Sequence, residues 1–297
     1  MSRRLDIEIP AGLDGRKIRS VLQTRLGLSA GLVTRLKHRE GAVLLNGRPA
    51  KTLDTVHAGD RLSVEVGDAG GSAFAPVPAR LSILWEDEDI LILDKPADMA
   101  VHGRSDKGEP TVGSAVAAYL GTAAPFHPVN RLDRGTTGVM CAAKTGYMHE
   151  RLRRLLHTEG LRREYLAITQ GVPEPRSGVI DLPIGRRGEE KRFCVREDGA
   201  ASLTRYETLA EGDGLALLRL RPETGRTHQI RVHLSHIGCP ILGDRLYGRV
   251  SAEIARPALH SSRLTLVHPL TGVTVEAAAP LPEDMRAVLE RHGLAQA

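Results

Sequence analysis

The sequence has no apolar run approaching the roughly 20 residues a membrane-spanning helix needs. Its opening stretch, MSRRLDIEIPAG, breaks into charges and a proline before the apolar core of a signal peptide could form. These two absences predict a cytoplasmic protein with no membrane partner. Cysteine is also scarce: Cys141, Cys194 and Cys239 are odd in number, widely spaced and without a second thiol two residues away. That spacing argues against a disulfide framework or a structural zinc site, and leaves the thiols as small apolar residues for the interior. Nor does the chain show a solenoid period or a repeated strand-helix-strand alternation.

What is present is enough apolar material, 41% of 297 residues, for one sizeable core and a small accessory domain. The net charge of +5 is a mild bias towards polyanions, but its distribution is more informative. Arg16, Lys17, Arg19, Arg25, Arg35, Lys37, Arg39, Arg48 and Lys51 stand against the single acid Glu40 between positions 16 and 51. Such a concentration is the electrostatic footprint of a nucleic-acid partner. Within it, Ile18, Val21, Leu22 and Leu26 recur at helical spacing, and Gly27 ends that helix. Ser29 is a good N-cap for a second helix with Leu32, Val33 and Leu36 inward and Arg35, Lys37, His38 and Arg39 on its other side. AVLLNGRPAKT and HAGDRLSVEV then alternate as strands around an Asn46-Gly47 turn.

This stretch, with GAVLLNG at 41–47 and GDRLSV at 59–64, resembles the RNA-binding domain named for small-subunit ribosomal protein four. The resemblance implies that residues 1–67 are a small RNA-binding domain and that Arg35, Lys37 and Arg39 on its second helix contact RNA. DAGGSAFAPVPAR at 68–80 is rich in Gly, Ala and Pro without periodicity, which predicts a linker holding two domains loosely apart. From Leu81 to the end, strand-like runs (LSILWED, DILILDKPA, GVMCAAKT, REYLAITQG, LALLRLRP) outnumber helical segments. The expected fold class is α+β, with a mixed, largely antiparallel sheet over 81–297 preceded by the small two-helix and short-sheet unit.

The chemistry-bearing stretches are polar where an ordinary core would be apolar. NRLDRGTTG at 130–138 delivers Asp133, between two arginines, into a turn of small residues. A carboxylate there either joins an exposed ion pair, worth little, or performs chemistry. In GRTHQIRVHLSHIGCPILGDRLYG, at 225–248, Thr227 is a candidate N-cap, and Ile230, Leu234 and Ile237 form one side of a helix that carries Arg231 on another. His228, His233 and His236 lack the i, i+4 spacing of a zinc pair. They read as structural or RNA-contacting groups.

PVNRLDRGTTG, AKT, REYLA and GRTHQIRVHLSHIGCPILGDRLYG, with DKPADMAVH at 94–102, are similar to the motifs of the RluA-type RNA pseudouridine synthases, in the family's order over most of residues 81–280. Two departures stand out: Asn130 where the family usually has His, and Thr136-Thr137 where it has Thr-Ser. The resemblance implies that a uridine in RNA is cut at N1–C1′, turned and rejoined through C5, with no metal or other cofactor. Asp133 matches the catalytic aspartate, which can attack the sugar or the pyrimidine or stabilise an electron-poor sugar. Arg231 matches its basic partner and Tyr165 the aromatic residue that packs on the flipped base. Lys95, Arg131, Arg134, Thr136, Thr137, Arg226, His228, Gln229 and Leu234 are the expected substrate-binding residues of this region. The expected partner is RNA, ribosomal rather than transfer RNA, and the expected state is a monomer.

Other chemistries fit less well. A base deaminase needs H-x-E with P-C-x-x-C to hold zinc, and the chain has neither. A methyltransferase needs a glycine-rich turn between an early strand and a helix; GDAGG falls in the linker and EGDG in an apparent hairpin. A non-catalytic RNA-binding assembly factor on the same fold would be expected to have lost at least one of Asp133, Tyr165 and Arg231.

Overall fold

A computed structural model describes residues 3–68, 74–103, 109–121, 125–186, 188 and 192–294. The first strand and helices are β1 (Arg4–Glu8), α1 (Ile18–Thr24) and α2 (Ala30–Leu36). They are followed by β2 (Val43–Leu45), β3 (Arg48–Pro49) and β4 (Arg61–Glu65). The strands form an antiparallel sheet in the order β1-β4-β2-β3. Ser29 caps α2 by accepting a hydrogen bond from the Leu32 N–H at 3.2 Å. Asn46 and Gly47 both take positive φ, the left-handed pair that a tight two-residue hairpin requires. Ile18, Val21 and Leu22 of α1 and Leu32, Val33 and Leu36 of α2 bury their stripes against Val43, Leu62 and Val64 of this sheet.

The second unit runs through β5 (Ser82–Glu86), β6 (Ile90–Lys95), α3 (Val112–Leu120), β7 (His127–Pro128), β8 (Thr137–Ala143), α4 (Gly146–Leu155) and β9 (Leu161–Gln170). It continues with β10 (Ser177–Asp181), β11 (Ile184–Arg186), β12 (Phe193–Val195), β13 (Leu203–Gly212) and β14 (Leu215–Pro222). The last elements are α5 (Gln229–His236), β15 (Leu259–Val267), β16 (Thr274–Ala278) and α6 (Glu283–Arg291). Ten strands form one sheet with the path β10-β13-β14-β9-β15-β8-β6-β5, β16 pairing with β15 and β7 with β8. Every pairing in it is antiparallel except that of β8 with β15. The fold is thus the α+β, largely antiparallel sheet that the strand-rich sequence implies.

The central strands β6 and β8 are buried on both faces, which explains their unbroken apolar runs. Leu91, Leu93, Met140 and Ala142 enter one core with Tyr165, Leu218, Ile230 and Leu234. Ile90, Ile92, Val139 and Cys141 enter the other with Leu161, Leu264 and Leu266. Cys141 and Cys239 are buried and Cys194 half-buried, all as free thiols. At the parallel contact, Gly138 has φ +103, and a Cβ there would stand 2.1 Å from the Ser261 carbonyl oxygen. Only a glycine lets β8 approach β15 this closely.

A loose tether between the two units does not match the packing on either side of it. Residues 69–73 of the expected linker lie outside the described residues. Before them, the Asp68 carboxylate accepts from the Gly146 N–H and contacts His127 Nε2, each at 3.0 Å. After them, Phe74 packs edge-on against Phe126. Tyr147 of α4 lies in the core of the first unit and its hydroxyl donates to Leu26 O at 2.8 Å. Arg151 donates to the same carbonyl at 2.8 Å, and Arg3 makes a two-point ion pair with buried Asp89. The sequence predicts a loose, aperiodic connection, whereas α4 supplies much of the surface that clasps the two units.

Candidate active site

The turn predicted around Asp133 is present: the Thr136 N–H closes back on Asp133 O at 3.0 Å. Leu132 anchors it in the core, and Arg131 and Asp133 point the other way into a cleft of about 560 Å³. Arg231 reaches the same point from α5, and Nη1 donates to Asp133 Oδ2 at 3.0 Å. The rest of the guanidinium is committed to Asp244, with Nε to Oδ2 at 2.6 Å and Nη2 to Oδ1 at 2.8 Å. Asp244 is fully buried, and its Oδ1 also accepts from the Leu246 and Tyr247 N–H groups. Burial alone would raise its carboxyl, but the hydrogen bond and charge of Arg231 outweigh that and hold it below the usual range. Burial would likewise weaken the Arg231 cation, and Asp244 and Asp133 outweigh it, so the arginine stays charged. Asp133 remains 31% exposed at the side chain, open to the cleft.

A second group faces the same carboxylate. His228 begins α5 in the left-handed region, with φ 57°, and its Nε2 lies 3.8 Å from Asp133 Oδ2. Tyr247 Oη accepts from the Phe193 N–H at 3.0 Å, so its own proton is available for His228 Nδ1 at 2.9 Å. With Tyr247 as the donor, the neutral imidazole carries its proton on Nε2, the atom that faces Asp133. Burial lowers the His228 pKa, which favours this neutral form. Thr227 is not the helix cap. Gln229 Oε1 takes the Arg226 N–H at 3.0 Å and the Thr224 hydroxyl at 2.7 Å, and this loop geometry makes His228 the residue before the helix.

Tyr165 on β9 lines the cleft and is 5% exposed; burial raises its phenol, so it is protonated at neutral pH. Asn130 also lines the cleft, with its Oδ1 held by the Cys141 N–H at 2.8 Å. Arg131, Arg134, Thr136, Arg226, His228 and Gln229 border the same space. Of these, Gln229 is buried and spends its amide donors on Leu203 O and Thr204 Oγ1. Arg134 is tied to Asp98 O and Glu109, whereas the buried Thr136 hydroxyl has no partner among the described residues.

Three other expected contacts fall elsewhere. Lys95 is fully buried, and its ammonium spends all three protons on Pro96 O, Met99 O and Arg134 O. It therefore fixes the backbone beside Asp133 and presents nothing to a ligand; burial pulls its pKa down to about 8. Leu234 is a core residue with no exposed surface, because it occupies the inward stripe of α5. Thr137 faces away from the cleft and shares its hydroxyl with His260 Nδ1 at 2.9 Å. In the first unit Arg35 and Lys37 are exposed, but Arg39 is drawn back to Glu65 and Gly67 O. Asp244 and Tyr247 carry roles that sequence reading missed, although both stand in the quoted GDRLYG.

The cleft lining contains six arginines and four histidines against the single acid Asp133. Among the described residues no group of three or more His, Cys, Asp or Glu could hold a metal ion, and no helix is long and apolar enough to cross a membrane. A family model described as RNA pseudouridylate synthase matches residues 89–236. An uncharacterized RNA pseudouridine synthase of Mycobacterium tuberculosis is 38% identical, over 95% of this chain and 96% of its own length. The ribosomal large subunit pseudouridine synthase D of Escherichia coli is 35% identical, over 84% of this chain and 82% of its own. Among solved structures, human RNA pseudouridylate synthase domain containing 4 superposes with a TM-score of 0.58 at 27% identity, over 71% of this chain and 92% of its own. Fold and relatives agree, and the chain belongs to the RNA pseudouridine synthases, isomerases that modify RNA.

Proposed function

We propose that this pseudouridine synthase acts on ribosomal RNA, with Asp133 as its catalytic carboxylate and the target uridine flipped into the cleft. The observation that carries the reading is a lone acid, clamped by Arg231 and faced by His228 Nε2, in a cleft that six arginines line. A polyanion is drawn to such a lining, and the one carboxylate is placed to meet an electron-poor sugar or base. Arg231 orients Asp133 and supplies its counter-charge because Asp244 fixes the guanidinium from behind. Tyr165 offers the flat apolar surface against which an unstacked uracil packs. Across the reaction the N1–C1′ bond is replaced by C5–C1′, C5 loses its proton and N1 gains one. No external group is consumed. Support for ribosomal RNA comes from relatives named as large-subunit synthases.

The test compares pseudouridine maps of total RNA from cells lacking the gene, complemented with the native chain or with Asp133→Asn. The native chain should restore specific ribosomal positions, and the folded variant none. Turnover by Asp133→Asn would remove the catalytic assignment, and positions restored only in transfer RNA would remove the ribosomal one.

A further inference from the structure

Of the cleft arginines outside the Asp133–Arg231–Asp244 chain, one is itself buried. Arg163 stands on β9 two residues before Tyr165, so both side chains leave the same face of the strand and line the same wall. It is 8% exposed. Its Nη2 donates to Pro222 O at 3.2 Å and Thr224 O at 3.3 Å. Nε is buried without a partner, and Nη1 makes no hydrogen bond among the described residues. Gly225 of the neighbouring loop lies beside Nη1. No carboxylate among the described residues pairs with this guanidinium.

The surroundings make the missing carboxylate informative. A second groove of about 850 Å³ meets the catalytic cleft at Leu156, His157, Arg163 and Pro222. Six arginines line it. Arg162 pairs with Glu159, Arg205 with Glu223, Arg219 with Glu207, Arg221 with Glu164 and Arg263 with Glu276. Arg163 alone of the six, at the junction of the two spaces, has no described acidic partner. A buried guanidinium without a counter-charge is costly unless a ligand supplies one. Its backbone contacts use Nη2 and its Nε is enclosed, which leaves Nη1 as the donor for a phosphate oxygen.

We infer that Arg163 is a phosphate subsite. It holds a phosphodiester of the RNA strand beside the uridine that packs on Tyr165, where the strand passes from the cleft into the neighbouring groove. This rests on the substrate reading above, and the test separates the two. The probe is a short oligocytidylate carrying a single uridine, bound to the full-length protein across a salt series. Arg163→Gln should weaken binding about tenfold at low salt, and should lower the slope of log affinity against log salt by about 0.7, the value of one lost single-strand phosphate contact. Arg163→Lys, which keeps the charge, should keep the slope.

Replacing the probe's phosphates one at a time by neutral methylphosphonates should reveal one linkage whose neutralisation weakens the native protein but not Arg163→Gln. A native slope in the folded Gln variant overturns the subsite, as does a linkage scan that weakens native and variant proteins alike. If Arg163→Gln does not fold, the scan on the native protein decides alone, and finding no sensitive linkage overturns the inference. Failure of the native chain to restore any pseudouridine in ribosomal RNA would strike the earlier reading and leave this binding result standing.

Discussion

Arg231 divides its guanidinium between two carboxylates of different exposure, and the division assigns them different duties. Asp244, wholly buried and held by two N–H donors of its own loop, orients the arginine; Asp133, at the cleft, receives what is left. Breaking one partner of such a buried pair costs about 3–5 kcal/mol. Asp244→Asn should therefore lower the urea midpoint and slow pseudouridine formation while Asp133 itself is untouched. The pH dependence has a definite sign. A carboxyl held below its unfolded value, about 3.9, contributes stability that is complete above that value and is lost as pH falls through the lower, folded one. The stability difference between native protein and Asp244→Asn should be flat from pH 7 to about 5 and shrink below about 4; a difference already fading at pH 6 would assign the effect to another group. Asp133 and Arg231 stood out in the sequence because each lies in a polar stretch with its own motif. Asp244 did not, because its importance is its burial against Arg231, a tertiary fact that local spacing does not carry.

At the scale of elements, the cleft depends on β8 meeting β15. β8 is legible from its run GVMCAAKT, but β15, LHSSRLTLV, has no such apolar run, and their parallel pairing is not legible either, since the partner follows long after β8 in the chain. The mark it leaves in the sequence is Gly138, the last residue of NRLDRGTTG. Gly138→Ala would set a methyl group against Ser261 O in a backbone conformation that alanine avoids. The expected loss is at least about 2 kcal/mol. Hydrogen exchange should accelerate in β8 and β15 before it does in α6, and an alanine variant that melts like the native protein would contradict the close approach. The start of α5 was misread for a related reason: Thr227 has the right chemistry for a cap, but the Gln229 side chain closes the preceding loop.

At the scale of the whole molecule, the basic excess of residues 16–51 resolves into groups of different availability. Arg39 is spent within its own unit, while Arg35 and Lys37 are exposed and make no ion pair among the described residues. If they touch RNA phosphates, neutralising both as Arg35→Gln and Lys37→Gln should lower the salt slope of RNA binding by about 1.4 to 1.8, two contacts at about 0.7 to 0.9 each. The maximal rate with RNA in excess should hold. An unchanged slope would assign this face to another partner. The clasp between the two units has a different consequence. Tyr147 and Arg151 both donate to Leu26 O, an acceptor that every amino acid at position 26 would present. Substitution tables at that position will register only the fit of the leucine side chain in its core and remain blind to the oxygen. Two units that composition sets loosely apart are joined at an atom that has no letter in the sequence.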